Sequence, residues 1–414
     1  MSAAALGAAD KDLTLAESVK LAQENNRDVK IAAQDRETAY WKLQEVKANR
    51  FPVLDLTHTD TRVDPDPSDP FFQYIGLTPP ITNSFDNKLT VSLPLYTGGQ
   101  LGTAIKQLEM NLKIADTNLN KAKQQVTLNV SMAYFGVLHT QSMVELSAEA
   151  VNSLTEHLKN VQAFLNAGIV TKSDVLRTEV AAANAAENLI KAKNGYDMAV
   201  ANLNNILGLP LMTTVNVKED LSYIKYDNSL ESCTQTALKN RPEIVMVDLN
   251  CELAKKGIDL AKSGYLPTVS LVGIVDIHDT EFPGTKNDNW SINLVSNWKL
   301  NTGGQTKAKI NQALSVQEKA AELAAQTKDG ISLEVHQAYL SLKEAEKRIQ
   351  TSQLVVDEAN EDARLNQLRY KAGMETNLNV IDAQLALTQA KTNYLSSLYD
   401  YNVSLAKLQK AIGI

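Results

Sequence analysis

The sequence predicts a mainly α chain with a membrane β-barrel portion, in which long coiled-coil helical hairpins and four β-strands are laid out as two internal repeats. Three observations predict it. The chain is duplicated at about half its length. Proline-free tracts carry apolar residues at spacings of three and four. Between those tracts lie short segments in which the period drops to two.

The duplication is read first. Thr97-Gly98-Gly99-Gln100 recurs as Thr302-Gly303-Gly304-Gln305, Ala167-Gly168 as Ala372-Gly373, and Gly208 as Gly413, all displaced by 205 positions. Upstream, Asn25 matches Asn240 and Pro52 matches Pro267 at a displacement of 215. The first half therefore carries ten extra residues between Pro52 and Thr97, expected to form a loop. The repeats are expected over 1–209 and 229–414, with a linker over 210–228.

An interior proline costs a helix about 3 kcal/mol, and the eleven prolines fall within 52 to 94 and at 210, 242, 267 and 283. Gly98 to Leu209 and Gly284 to Ile414 are free for long helices. Val144, Val151, Leu154, Leu158, Val161 and Leu165 fall at coiled-coil spacing. So do Val335, Ala338, Leu342, Ala345, Ile349, Val356, Ala359 and Ala363, and a third run from Leu387 to Ile412 continues the pattern. Gly168 and Gly373 interrupt these runs. Thr171 and Ser173, or Thr376 and Asn377, follow them and suit a helix restart, so each glycine marks a hairpin tip. From Gln100 to Gly168 is roughly 100 Å of helix at 1.5 Å per residue. A capping-box pattern, Thr14 to Glu17, opens a leading helix expected to run to about Asn49.

Strands are expected over about 52–62, 86–96, 267–278 and 289–300. Leu89, Val91, Leu93 and Leu95 alternate with Lys88, Thr90, Ser92 and Pro94. Trp290, Ile292, Leu294, Trp298 and Leu300 alternate with polar residues, as do Val269, Leu271, Val275 and Ile277. Such strands suit a transmembrane barrel or a soluble sandwich. The barrel is favoured because the two strand pairs are separated by about 170 residues of coiled coil, which leaves no local sheet to pack against. Four strands cannot close, and an open edge in hydrocarbon leaves backbone groups unsatisfied at several kcal/mol each. Protomers must combine, two reaching about eight strands and three about twelve.

A net charge of -7 without a basic patch argues against nucleic-acid binding. No run of about 20 apolar residues exists to form a membrane-spanning helix. His58, His139, His157, His278 and His336 are scattered without a nucleophile or ligand cluster and read as surface or seam residues, so no catalytic residue, metal or cofactor is expected. The glycines of Thr97 to Gln100 lack the GxGxxG or Walker spacing of a phosphate cradle and read as turns. Cys233 and Cys251 read as unpaired thiols. Met1 to Ala9 lacks a basic n-region and a long apolar h-region, and is expected to be a mature end from which a targeting peptide has been removed.

Leu93-Pro94-Leu95-Tyr96-Thr97-Gly98-Gly99, the second Gly-Gly, and Arg369-Tyr370-Lys371-Ala372-Gly373 together resemble the TolC family of outer-membrane efflux proteins, over about residues 12 to 414. The resemblance implies a homotrimeric α/β barrel duct: a twelve-stranded barrel in outer-membrane lipid above a helical tunnel crossing the periplasm. It implies docking to an inner-membrane pump through a periplasmic adaptor (membrane fusion) protein. The expected function is the outer-membrane channel of a tripartite efflux or type I secretion system, a passive duct and not an enzyme. By the same resemblance 210–228 lies in an equatorial belt. The absence of a cysteine near Met1 disfavours a lipoprotein subtype. The alternative is a soluble coiled-coil scaffold protein.

Gly98, Gly99, Gly303 and Gly304 are expected as strand-to-helix turns. Gly168, Thr171, Ser173, Asp174, Tyr370, Gly373, Glu375, Asn379 and Asp382 are expected at the periplasmic entrance and adaptor-docking tips. Symmetry would repeat the carboxylates of Asp174 and Asp382 as acidic rings that favour cations. The other reading is solvated carboxylates favoured by helix N-terminal dipoles. The resemblance matches Tyr370 to a tyrosine that holds the entrance closed and Asp174 to the acidic partner of an arginine. Glu375 stands at that arginine position and Asn379 where the better-known members carry an aspartate. Closure is therefore expected to rest on other contacts, and opening on rearranged packing at Ala167 to Leu176 and Tyr370 to Asp382.

Overall fold

The computed structural model describes residues 11–64, 66, 70–76 and 80–414; Met1 to Ala9 and part of the first-half insertion lie outside the described residues. The elements run β1 (Lys11–Leu13), α1 (Leu15–Asn25), α2 (Arg27–Ala48), β2 (Val53–Val63), α3 (Pro70–Ile75), β3 (Thr82–Tyr96), α4 (Gln100–Asn166), α5 (Lys172–Leu207), β4 (Val215–Val217), α6 (Leu230–Asn240), α7 (Pro242–Lys262), β5 (Thr268–Asp279), β6 (Asn287–Asn297), α8 (Gln305–Lys371) and α9 (Asn377–Ile412). None of the described helices is long and apolar enough to cross a membrane. The chain forms two compact units, one from residues up to 34, 117–245 and 325–414, the other from 35–116 and 246–324. Each unit takes segments from both sequence halves.

Three expectations need correction. The leading helix is two helices, α1 and α2, broken at Asn26, whose backbone is extended (φ -61°, ψ 138°). Its side-chain oxygen accepts from Asp28 N at 2.8 Å and its amide nitrogen donates to the Ile206 carbonyl at 2.9 Å, so bonds on both sides replace helical continuity. The first-half insertion is more than a loop, because it contains α3 and lengthens β3 to begin at Thr82. The fourth strand ends at Asn297, short of the expected 300. There the Trp298 indole turns to donate to the Tyr265 carbonyl at 3.0 Å.

In the second unit the four strands form one antiparallel sheet in the order β2-β3-β5-β6. Register decides which side chains share a face, since a slip of one residue inverts it. Leu56, Leu89, Val275 and Trp290 lie in one row across all four strands; Leu54, Val91, Gly273 and Ile292 form the next, and Leu93, Leu271 and Leu294 the third. The opposite face carries Thr57, Lys88, Asp276 and Asn289 in one row and Asp55, Thr90, Ile274 and Ser291 in another. Alternation within each strand thus becomes one apolar and one mainly polar face. From Val269 to Ile277 the apolar face extends about 26 Å along β5 at about 3.3 Å per residue. Trp298, Tyr96, Tyr265 and Phe51, all exposed, stand near the helical end of the strands.

The strand-to-helix turns that open α4 and α8 each use two consecutive glycines at positive φ, Gly98 and Gly99 (62° and 81°) and Gly303 and Gly304 (57° and 85°). Any other residue would be strained there. At Gly98 a Cβ would also stand 3.2 Å from the Ser263 carbonyl oxygen. Thr97 Oγ1 accepts from Leu101 N and Thr302 Oγ1 from Thr306 N, so both turns hand the chain to a capped helix.

The first unit holds two cores of matching plan. Leu13, Ala22, Val130, Leu203, Leu207 and Val215 gather α1, α4 and α5 around a two-stranded parallel pair, β1 with β4. Cys233, Ala237, Val335, Leu342, Leu398, Tyr401 and Leu408 gather α6, α8 and α9. Cys233 and Cys251 are both free thiols, the second donating to the Ala320 carbonyl at 3.4 Å. Arg241 repeats what Asn26 does in the first half. Its Nη1 donates to the Ala411 carbonyl at 3.2 Å, while its guanidinium pairs with Glu243 and Glu334, each at 2.9 Å. The following proline, Pro242, pushes Arg241 out of the helical region (ψ 129°), which breaks α6 from α7. Arg241 is almost fully buried. Arg241→Ala, which leaves a carbonyl and two carboxylates without their shared partner, is expected to cost about 3 kcal/mol and lower the melting temperature, whereas the neighbouring Lys239→Ala should leave it nearly unchanged.

Candidate functional site

The residues expected at the entrance lie at the ends of the two helical hairpins, all within the first unit, whereas the expected turn glycines Gly98, Gly99, Gly303 and Gly304 lie in the second. Both tips are built alike. α4 closes with the Gly168 N–H donating to the Leu165 carbonyl and Ile169 N–H to Phe164; α8 closes with Gly373 to Tyr370 and Met374 to Arg369. This is the Schellman arrangement, with glycine at positive φ (70° and 72°). Thr171 then caps α5 and Thr376 caps α9.

At the first tip, the Asp174 carboxylate accepts from Thr171 Oγ1 at 2.7 Å and Thr171 N at 3.0 Å, and Asp174 N donates back to the threonine oxygen at 3.3 Å. These hydrogen bonds, aided by the charge of Arg177, hold the Asp174 carboxyl below its ordinary pKa. The Asp174 carboxylate thus takes part in the cap of α5. Ser173, Asp382 and both tip glycines are exposed, and Asp382 is free of the capping geometry that occupies Asp174.

At the second tip, Glu375 and Asn379 bond to each other. Asn379 Nδ2 donates to Glu375 Oε1 at 2.6 Å, and Thr376 N donates to the same oxygen at 3.0 Å. The Thr376 backbone bond, then the Asn379 amide, lower the Glu375 pKa, with a smaller contribution from the charge of Arg369.

Tyr370 is 4% exposed and packs with Val161, Val175 and Val380. Its ring lies 5.0 Å from that of His157 and 5.5 Å from that of Phe164. The hydroxyl is buried and finds no partner among the described residues, and burial, then the charge of Asp174, raises its pKa.

The structure adds three residues absent from the expected set: His157, Thr178 and Asn377, all buried. Asn377 Nδ2 donates to the Asp174 carbonyl at 3.0 Å, and the Thr178 hydroxyl donates to the same carbonyl at 2.8 Å. Because that carbonyl only accepts, the Asn377 amide oxygen faces His157, so the imidazole Nε2, 2.7 Å away, carries the proton. Burial pushes the His157 pKa down, against the smaller upward pull of Asn377. An uncharged knot thus ties α4 and α5 to α9, with Tyr370 of α8 against it. One sequence signal points to His157: it stands three residues after Leu154 and four before Val161, on the coiled-coil seam.

Among the described residues no group of three or more His, Cys, Asp or Glu is placed to hold a metal ion. The family model described as outer membrane efflux protein matches residues 18–209 and 233–414. The outer membrane protein TolC of Escherichia coli (strain K12) is 22% identical over 406 residues, covering 94% of this chain and 80% of that protein. The solvent efflux pump outer membrane protein SrpC of Pseudomonas putida is 25% identical over 416 residues, covering 97% of this chain and 86% of its own. Among solved structures, a membrane protein from Pseudomonas aeruginosa matches with a TM-score of 0.83 at 18% identity, over 96% of this chain and 90% of that one.

Proposed function

Since the chain belongs to the outer membrane efflux protein family, we infer that it is the outer-membrane channel of an export system, a passive duct through which cargo is driven by other components. The observation that carries this reading is the four-stranded sheet: one face apolar in continuous rows, the other mainly polar, and β2 and β6 both left as edges. In hydrocarbon such edges must be closed by other copies. Three protomers give about twelve strands, with the apolar rows to lipid and the polar rows to a lumen. Exposed Leu314, Val316, Leu323, Leu340 and Leu354 on α8 and Val180 and Ile190 on α5 support association as well, since monomers rarely leave so much apolar surface bare.

In this reading the helices form the periplasmic part of the duct and the hairpin tips its entrance. A periplasmic adaptor docks on the tips and links them to an inner-membrane pump, which supplies the energy. The duct performs no bond chemistry. The test is reconstitution: the full chain extracted in detergent should run as a trimer and give discrete conductances in planar bilayers. A water-soluble monomer recovered without detergent would instead support the scaffold alternative.

The tip carboxylates add a second expected result. Asp382→Asn should lower cation preference in bilayer recordings by about twofold. Asp174→Asn keeps an acceptor oxygen for Thr171 but removes the negative charge from the first turn of α5, and should cost about 0.3–1 kcal/mol and change selectivity less. Equal, unchanged selectivity in both variants would remove the acidic-ring idea.

A further inference from the structure

Two histidines stand on the same stripe of α4. His139 and His157 are 18 residues apart, five turns at 3.6 residues per turn. Both rings lie against tyrosines of the second hairpin: His139 with its centroid 5.0 Å from Tyr399 of α9, and His157 at 5.0 Å from Tyr370 of α8. His139 Nε2 is buried without a partner among the described residues. His157 gives its one proton to Asn377 of α9. The contact between the hairpins is therefore fitted to two neutral imidazoles.

We propose that His139 and His157 form an acid-sensitive seam between the α4–α5 and α8–α9 hairpins, which holds the tips together while both rings are neutral and releases them when the rings are protonated. The proposal rests on the reading of the tips as the duct entrance.

The surroundings explain why protonation is disfavoured in the packed state. Around His157, α8 contributes Tyr370 and α9 the uncharged Asn377. α5 contributes Thr178 and the Asp174 carbonyl, while the Asp174 carboxylate is turned to Thr171. Around His139, α9 contributes Tyr399 and, further out, Asp400, whose carboxylate is taken by Arg348 of α8 at 2.6 Å. Among the described residues no carboxylate is hydrogen-bonded to either imidazole, so a cation there would be buried among aromatic rings and amides. Burial lowers both histidine pKa values, more than Asp400 raises that of His139 or Asn377 that of His157.

The sign follows from linkage. Once the hairpins part, both rings meet water and recover an ordinary pKa near 6.5. Well above that pH the rings are neutral in both arrangements and the seam is at full strength. As pH falls below it, the parted arrangement takes up protons first, and the packed one loses ground until its own depressed values are passed. Because the knot bridges all four helix ends, loss of packing at His157 frees α9 from the Asp174 carbonyl and with it the tip.

The decisive experiment records the reconstituted full chain in planar bilayers while the tip side is taken from pH 7.5 to pH 5. The wild type should open at least about tenfold more often at the lower pH. The double variant His139→Phe/His157→Gln should show no such rise. Persistence of the wild-type acid response in the double variant would overturn the proposal. Hydrogen–deuterium exchange on the wild-type chain in detergent, with rates corrected for the slower intrinsic exchange of amides at lower pH, provides a readout independent of conductance and of the variant's folding: segments 154–178 and 370–384 should lose protection at pH 5, while the core of α6 should not. Equal protection at both pH values would overturn it too. A chain that conducts at no pH would defeat the duct reading alone, and the exchange result would still decide the seam.

Discussion

Leu89→Arg is expected to remove the protein from the outer membrane. Leu89 occupies the second strand of the sheet in the row Leu56, Leu89, Val275 and Trp290. That row lies within the apolar face, two residues along each strand from the row of Leu54, Val91 and Ile292. A guanidinium on the lipid side of a barrel strand costs about 2–4 kcal/mol at the membrane midplane. In the proposed trimer that cost would recur in each copy, which approaches the whole stability of many proteins. The comparison is Thr90→Arg, one residue on, in the row Asp55, Thr90, Ile274 and Ser291 of the opposite face. The two variants differ in position by one residue and in facing by the full alternation of the strand. In membrane fractions analysed without boiling, Leu89→Arg should lose at least about nine-tenths of the trimer band, a free-energy change of about 1.4 kcal/mol or more, and Thr90→Arg should keep most of it. Equal assembly of the two would show that neither face meets lipid.

How far the sequence revealed this sheet depends on the range of each interaction. Alternation between Leu89 and Leu95 is a property of adjacent residues, so the strand and its two faces could be read without a partner. The order β2-β3-β5-β6 places strands from the two halves side by side at the centre, and nothing local to Thr82–Tyr96 encodes a neighbour nearly 200 residues away. The β1–β4 pair was invisible for a related reason: three residues are too few to show a period, and the partners lie at the start of the first repeat and in the linker after it. Trp298 and Leu300 misled because they continue the alternation past the point where the indole finds the Tyr265 carbonyl. Break points divided similarly. Pro242 announces the end of α6, whereas Asn26 breaks the leading helix through a bond to Ile206 that sequence spacing does not display.

The tips show the same division. Gly168, Gly373, Thr171 and Thr376 act on backbone groups three to five residues away, and their types alone announced a stop and a restart. The replacement of an expected arginine by Glu375 and of an aspartate by Asn379 raised the question of what holds the tips. It did not disclose that these two side chains bond to each other, nor that His157 meets Asn377 across 220 positions. Asn377 was read only as a polar residue suited to restart a helix. Buried at the first position of α9, it instead joins two hairpins.

Tyr401→Ala is expected to be the most damaging single change in the second core. Tyr401 has no exposed surface and packs among Ala237, Val335, Leu342, Leu398 and Leu408. Its hydroxyl donates to the Ile224 carbonyl at 2.6 Å, and its ring meets that of Tyr223 at 4.9 Å, edge to face. The next residue, Asn402, donates to the Ser222 carbonyl at 3.1 Å. Tyr223 in turn donates to Glu346 of α8 at 2.7 Å, a bond that, with burial, pushes the phenol pKa up to about 12. The linker between the halves is thus fastened to α8 and α9 by backbone carbonyls and two phenols. Truncating the ring forfeits its packing and leaves a cavity, about 3–5 kcal/mol for a large aromatic, and the Ile224 carbonyl loses its donor. Tyr401→Phe keeps the packing and should cost only about 1 kcal/mol. Thermal unfolding of the detergent-extracted protein distinguishes the contributions. A large loss in Tyr401→Ala with a small one in Tyr401→Phe would show that the ring holds the linker, and equal losses would assign the effect to the bond with Ile224. An unchanged melting temperature in Tyr401→Ala would mean that the segment from Ser222 to Tyr226 contributes nothing to holding the two halves of the duct together.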